Sequence, residues 1–295
     1  NFKAWISAAR LRTLPLSVSG IIVGSSLAMK HLFWQSSIFW LAILTTIGFQ
    51  VLSNFANDYG DGIKGADDNR EGEQRMVSSG LISPKQMKMG ILITAIFSMI
   101  SAIVLIYYAF GAEDFLHSLL FFILGIASVI AALKYTIGKN AYGYSGLGDV
   151  FVFLFFGLLS VLGSYYLLDH QMVWDLLLPA STIGFLSMAV LNLNNMRDIE
   201  NDAKNNKNTL VVSLGSSKAK IYHYVLISLA VLLTLLYSII NDHSIRQLIY
   251  VIAFLPLIIN LVTVYKNKEP KLLDSELKKV ALSTFSFALL FGFFH

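Results

Sequence analysis

A chain of 295 residues with 56% hydrophobic and 14% charged residues and a mean hydropathy of +0.65 is not a soluble globular domain, which carries about a quarter charged residues. Its apolar runs are continuous, which excludes a membrane β-barrel with its alternating strands. The absence of cysteine excludes disulfides, thiolate metal sites and cysteine nucleophiles, and a formal charge of +4 spread among loops carries no nucleic-acid footprint.

The first element, "NFKAWISAARLRTLP", is amphipathic and basic, unlike a cleavable signal peptide. Nine transmembrane helices are predicted after it, over residues 15–30, 37–57, 86–110, 115–134, 148–168, 173–194, 219–240, 246–265 and 278–294, each an apolar run near the length that spans a bilayer. Of the 22 Lys and Arg residues, 20 fall in the N-terminal segment or in loops after even-numbered spans, and only Lys30 and Arg246 fall on the other side. The positive-inside rule then places the N-terminus and those loops in the cytoplasm and the C-terminus outside the cell (inner) membrane.

The second span runs into "NFANDYGDGIKGADDNREGEQR", residues 54–75, with carboxylates at Asp58, Asp61, Asp67, Asp68, Glu71 and Glu73. Asn54, Asn57, Asp58 and Asp61 fall at i, i+3, i+4 and i+7, one face of a helix extending the span. Gly60, Gly62 and Gly65 are expected to break that helix, so that Asp67 or Asp68 folds back. The sixth span runs into a relative, "NLNNMRDIENDAKNNKNTL" at 192–210, with Asp198, Glu200 and Asp202. Asn194, Asp198 and Asp202 again share one helical face.

The two segments hold nine of the chain's 18 carboxylates, on the same predicted side. One acidic loop after a span is ordinarily a solvated stop to translocation; two with matching faces point to a site. Hard oxygens without His or Cys favour Mg²⁺ or Ca²⁺ over zinc. With Arg75, Lys134, Lys139, Arg197 and Lys207 in the same loops, they form the inventory for binding a diphosphate through metal ions.

Between these segments, Tyr142 and Tyr144 in "NAYGYSG" suit either an acceptor pocket or the interfacial aromatic belt. Asp149 opens the fifth span, where an acid positions a substrate, handles protons or pairs with a lysine. The run "FVFLFF" reads as packing and lipid contact, and the six histidines are scattered without ligand spacing.

The motifs "NDYGDGIKGAD" (57–67) and "NNMRDIENDAKNNKNTL" (194–210) resemble the paired Asp-rich motifs of the UbiA-type intramembrane prenyltransferases. "WISAARLRTLP" (5–15) and "GYSGLGDVFVFLFFGLLSVLGSYYL" (143–167) are similar to the branch that prenylates 1,4-dihydroxy-2-naphthoate, and the likeness covers nearly the whole chain. The spacing of Asp67 after Gly65 is that branch's own, whereas Asn206 and Asp149 stand where the family leads one to expect Gly and Glu.

The resemblance implies an all-α integral membrane fold: nine transmembrane helices in a bundle around a lipid-accessible cavity, capped by cytoplasmic loops. The expected organisation is one domain of two related helical units, roughly 1–134 and 135–295. The implied activity is Mg²⁺-dependent transfer from a polyprenyl diphosphate to 1,4-dihydroxy-2-naphthoate, with decarboxylation, at the lipid bilayer. Carried over residue by residue, it makes Asp58, Asp61, Asp67, Asp198 and Asp202 metal ligands. Asn57, Arg75, Lys139, Arg197 and Lys207 become diphosphate contacts, and Tyr142, Tyr144, Asp149 and Asn195 acceptor contacts. Asp61, Asp198, Asp202, Arg75 and Lys207 are the expected catalytic set. Competing readings are another acceptor, such as 4-hydroxybenzoate or homogentisate, and a membrane cation transporter. The acids cluster at one surface rather than at mid-span, which disfavours transport.

Overall fold

The computed structural model describes residues 2–65 and 75–295, and among these every regular element is helical. A short surface helix α1 (Phe2–Ala9) precedes α2 (Leu14–Met29), α3 (Ser37–Ile63), α4 (Pro84–Phe110) and α5 (Phe115–Lys134). Then come α6 (Gly148–Asp169), α7 (Leu177–Arg197) and two short helices, α8 (Ile199–Lys204) and α9 (Leu210–Leu214). The chain closes with α10 (Ser216–Ile240), α11 (Gln247–Lys266) and α12 (Asp274–Phe294). Taken with their flanking turns, α2 to α7 and α10 to α12 are nine helices long and apolar enough to cross a membrane among the described residues. The chain is a multi-pass membrane protein.

Local chemistry starts several of these helices where the chain turns. Ser83 accepts from the backbone of Gln86 at 3.3 Å while the Gln86 side chain accepts from the Ser83 backbone at 2.9 Å, a capping box reinforced by Pro84 in the first turn. Thr209 caps α9 with its hydroxyl alone, accepting from the Val212 backbone at 3.3 Å.

Helix–helix packing relies on small residues, as it must where lipid offers no hydrophobic drive. A Cβ on Gly20 or Gly24 of α2 would come within 2.1 Å of atoms of Ser160 or of Ser164 and Val161 on α6, so that seam admits nothing larger. Thr45 and Ser101 bond at 2.8 Å between α3 and α4, and Thr182 and Thr234 at 2.9 Å between α7 and α10.

The predicted spans match to within a few residues except at two ends, and both ends bear on the site. Helix α3 continues to Ile63: Gly60 and Gly62 do not break it. Gly60 lies where a Cβ would meet Thr136 Oγ1 at 2.5 Å, so its role is close approach, and only Gly65 takes a left-handed backbone, at φ 69°. Helix α12 starts at Asp274, earlier than the apolar run indicated, and carries Glu276, Lys278 and Lys279 on its first turns.

Candidate active site

The C-terminal end of α3 organises the site. Asn54 donates to the Ala9 carbonyl at 2.8 Å and to Thr13 at 3.2 Å, fixing the N-terminal segment across the top of the bundle. Asn57 accepts from Thr136 at 3.3 Å. Asp58 is buried and accepts the backbone N–H groups of Met76 and Val77 at 3.0 and 2.9 Å. Both its oxygens hold the returning chain, which brings Arg75 over the acid one turn on.

That acid, Asp61, is 2% exposed and is the hub. Tyr144 donates to its Oδ1 at 2.8 Å, and around Oδ2 stand Lys207 Nζ at 3.7 Å and Arg75 Nη2 at 4.0 Å. Lys207 also lies 3.7 Å from Asp202 Oδ1, so one ammonium bridges the first acidic segment and the second. The backbone explains why Lys207 points back: its N–H bonds the Asp202 carbonyl at 2.9 Å, and Asn208 N–H bonds the Tyr144 carbonyl at 3.1 Å. The reversal between them needs Asn206 at φ 54°, a conformation that Gly and Asn tolerate. The departure at this position is therefore conformationally silent.

Asp198 lies beside this group in a second one. Arg197, buried, holds both oxygens of Asp198 at 2.8 and 2.9 Å and reaches Asn194 at 2.8 Å and Asp274 of α12 at 2.5 Å. Arg12 approaches the other oxygen of Asp274 at 3.6 Å. Arg197 thus tethers three helix ends.

Of these groups, Asp61, Arg75, Asn194, Lys207 and Asp274 line a cavity of about 510 Å³ with apolar walls from α3, α5 and α6, whereas Asp58, Arg197, Asp198 and Asp202 stand off its lining. Its charged lining is completed by Arg10, Arg12 and Lys278. Asn57 and Tyr142 line it as well. Tyr142 stacks on Phe151 at 3.8 Å between centroids and donates to the Ala131 carbonyl at 2.8 Å; burial raises its phenol above the ordinary range, so it stays a donor. Lys64 donates to the Thr136 carbonyl at 2.7 Å and covers the Tyr144 ring at 4.0 Å. Burial lowers its ammonium's pKa, with Lys207 acting in the same sense and Asp61 opposing.

Other expected positions lie off the lining. Tyr144 sits behind Asp61. Asp149 accepts from Tyr222 of α10 at 3.0 Å, so its carboxylate bonds to a neighbouring helix. Asn195 is buried, one residue past Asn194, which does face the cavity. Lys139 is exposed. Asp67 falls outside the described residues. Sequence reading missed Lys64, Arg12 and Asp274, each of which looks like an ordinary loop charge until its partner is known.

Among the described residues no three acids or histidines converge on a point; Asp61 and Asp202 instead place hard oxygens on either side of one cation, Lys207. A helical membrane cavity with a charged mouth and an apolar shaft defines a class of protein that handles an amphipathic, anionic lipid at the membrane surface. The chain belongs to the UbiA prenyltransferase family, whose match covers residues 17–289. It is 40% identical to the 1,4-dihydroxy-2-naphthoate octaprenyltransferase of Haemophilus influenzae, over 99% of this chain and 95% of that one. It is 42% identical to the enzyme of the same name from Escherichia coli, over 85% and 81%. A UbiA homologue from Archaeoglobus fulgidus, solved with GPP and Mg²⁺, shares the fold with a TM-score of 0.65 at 15% identity, over 98% and 99% of the two chains.

Proposed function

We propose that this prenyltransferase moves a polyprenyl group from polyprenyl diphosphate to 1,4-dihydroxy-2-naphthoate, with loss of the acceptor's carboxylate, at the cytoplasmic face of the cell membrane. The carrying observation is the cavity itself, with cations at a mouth on one membrane surface and an apolar shaft below. The diphosphate sits against Arg75 and Lys207, which neutralise it by preorganised charge. The allylic C–O bond breaks, its electron pair leaving with the diphosphate. A ring carbon of the acceptor takes the allyl group, and CO₂ departs while the displaced proton returns to the ring. The walls exclude water from the cationic prenyl fragment, and the faces of Tyr142, Phe151 and Phe155 shield it.

Mg²⁺ fits the donor set, because Asp61 and Asp202 already share one positive charge; held there, it would supply further neutralisation of the leaving diphosphate. Asp198 belongs to this reading as the partner that keeps Arg197 and the second segment in place. The acidic segments that close α3, with Asp61 in its last turn, and follow α7, with Asp202 in α8, support two related helical units, and the distribution of Lys and Arg supports an N-terminus inside and a C-terminus outside.

Incubation of purified protein with farnesyl diphosphate, Mg²⁺ and a panel of aromatic acids, read by mass spectrometry, tests the proposal. The expected product is a prenylated naphthoquinol lighter by one carboxyl group. Prenylated 4-hydroxybenzoate that retains its carboxyl, without any naphthoquinol, would overturn the acceptor assignment.

A further inference from the structure

A buried polar chain lies behind α12, away from the cavity. Glu276 is 3% exposed, and Asn260 of α11 and His223 of α10 are each 0% exposed. Glu276 Oε2 accepts from Asn260 Nδ2 at 2.8 Å, and Asn260 Oδ1 accepts from His223 Nε2 at 2.7 Å. A carboxylate only accepts, so the amide turns one way and His223 carries a hydrogen on Nε2. The other carboxylate oxygen accepts from Lys279 at 2.6 Å. One line of bonds thus joins three apolar, membrane-length helices, a setting in which an ionisable side chain is costly and signals a role.

The two faces of α12 show what that role is. Asp274, Lys278 and Ala281 line the cavity, at i, i+4 and i+7 of one face. Glu276 lies about 200° round the helix from Asp274 and from Lys278. Its own face continues through Val280, Ser283 and Phe287, all buried. Phe287 packs on Tyr250 and Phe254 of α11 at 5.5 and 5.2 Å between centroids. Ring contacts of this kind hold two helices together and tolerate repacking. A carboxylate and an amide meet in one register only. Buried ionic groups add little net stability over well-packed apolar residues, and their best-attested use is to select one arrangement.

Resting on the prenyl-transfer reading, we infer that Glu276 is a positioning residue: with Asn260 and His223 it sets the rotation of α12 that presents Asp274 and Lys278 to the cavity. It faces away from the substrates. It acts through Asp274, which holds Arg197 and with it Asp198, and through Lys278, a cation of the lining. Rotating α12 by one residue, about 100°, would take both side chains off the cavity.

In this reading reach matters more than charge, and two mild variants separate them. Glu276→Gln keeps an oxygen at Asn260 and loses the charge. Glu276→Asp keeps the charge and draws the oxygens back by about 1.5 Å. With farnesyl diphosphate and 1,4-dihydroxy-2-naphthoate, kcat/KM should stay within about twofold of wild type in the glutamine variant and fall about tenfold in the aspartate variant. The rotation is read separately. The chain has no cysteine, so Ala281→Cys adds a sole thiol on the cavity face, and a small water-soluble methanethiosulfonate reports that face without any turnover. Combined with Ala281→Cys, Glu276→Asp should slow the modification about fivefold and Glu276→Gln should leave it unchanged. A role in stability alone would lower the melting temperature and leave the thiol's rate as it was. Wild-type transfer or an unchanged thiol rate in the aspartate variant, or an equal loss in the glutamine variant, would overturn the assignment. Thiol rates that shift as expected in a protein that prenylates no acceptor would overturn the proposed function and leave the positioning of α12 standing.

Discussion

Tyr144 donates its phenolic hydrogen to Asp61 Oδ1 at 2.8 Å, joining the loop after α5 to the first acidic segment. The same ring carries Lys64 on its face at 4.0 Å and lies 5.5 Å from Lys207. Tyr144 was expected at the acceptor; its position behind Asp61 makes it a positioning residue for the acid. Tyr144→Phe keeps the ring under both ammonium groups and removes only the donor. A hydrogen bond to a charged group contributes about 1.5–3 kcal/mol, so kcat/KM for prenyl transfer should drop roughly 10- to 100-fold with the melting temperature little changed. A rate within twofold of wild type would show that Asp61 needs no orienting donor.

Lys207 sits 3.7 Å from both Asp61 and Asp202, and from this follows a prediction about coupling. Asp61→Asn and Asp202→Asn should each lower turnover more than about tenfold, a barrier change above ~1.4 kcal/mol. The double variant should be only slightly worse than the poorer single one, because both acids act on one cation and one diphosphate. Steady-state rates at saturating and limiting Mg²⁺ measure this. Fully additive losses would mean that the two segments serve separate sites.

How much of this was legible beforehand depends on what kind of information each feature needs. Nine spans follow from apolar length alone, and Asp61 follows from the 3.6-residue period that puts it below Asn54 and Asn57. The period fails to separate Asp58 from Asp61, because what distinguishes them is the chain that returns: backbone N–H groups of Met76 and Val77 take one, and side chains take the other. Gly60 reads as a helix breaker by propensity, and only the approach of Thr136 makes it a contact residue. Asp274 lies 77 positions from Arg197; no local pattern links them, so tertiary structure alone reveals the pair.

The turn between α10 and α11, packed against the end of α12, carries a pH dependence of its own. His243 and His295 lie 5.0 Å apart by ring centroid, and burial lowers both below the ordinary imidazole range, His295 to about 4 with His243 and Lys30 adding to the effect. A folded pKa below the unfolded one means the contribution is complete above pH ~6.5 and is lost as pH falls toward 4. Melting temperature should therefore decline across that window. His295→Phe preserves the ring contact with Phe291, found at 5.0 Å and 11° in the native pair, and should decline less steeply. Parallel curves for the two proteins would show that these imidazoles do not gain protons on unfolding.

The two arginines on Asp274 should behave oppositely. Arg197 has a side chain 2% exposed and is bonded to Asp198, Asn194 and Asp274, whereas Arg12 reaches Asp274 at 3.6 Å with a side chain 46% exposed. Removing one partner of a buried pair leaves an uncompensated charge and costs about 3–5 kcal/mol, while exposed pairs contribute about 0–1 kcal/mol. Arg197→Met should lower the melting temperature sharply and abolish activity with it, because Asp198, α8 and the loop carrying Lys207 lose their anchor to α12. Arg12→Ala should melt close to wild type. Asp198→Asn occupies the middle ground: Arg197 keeps Asp274 and Asn194, so the fold holds while the second segment loosens, and turnover falls more than the melting temperature does. Thermal unfolding and turnover on the same detergent preparations separate the three cases. A folded, active Arg197→Met protein would mean that the tether to α12 is not what keeps the second acidic segment at the cavity.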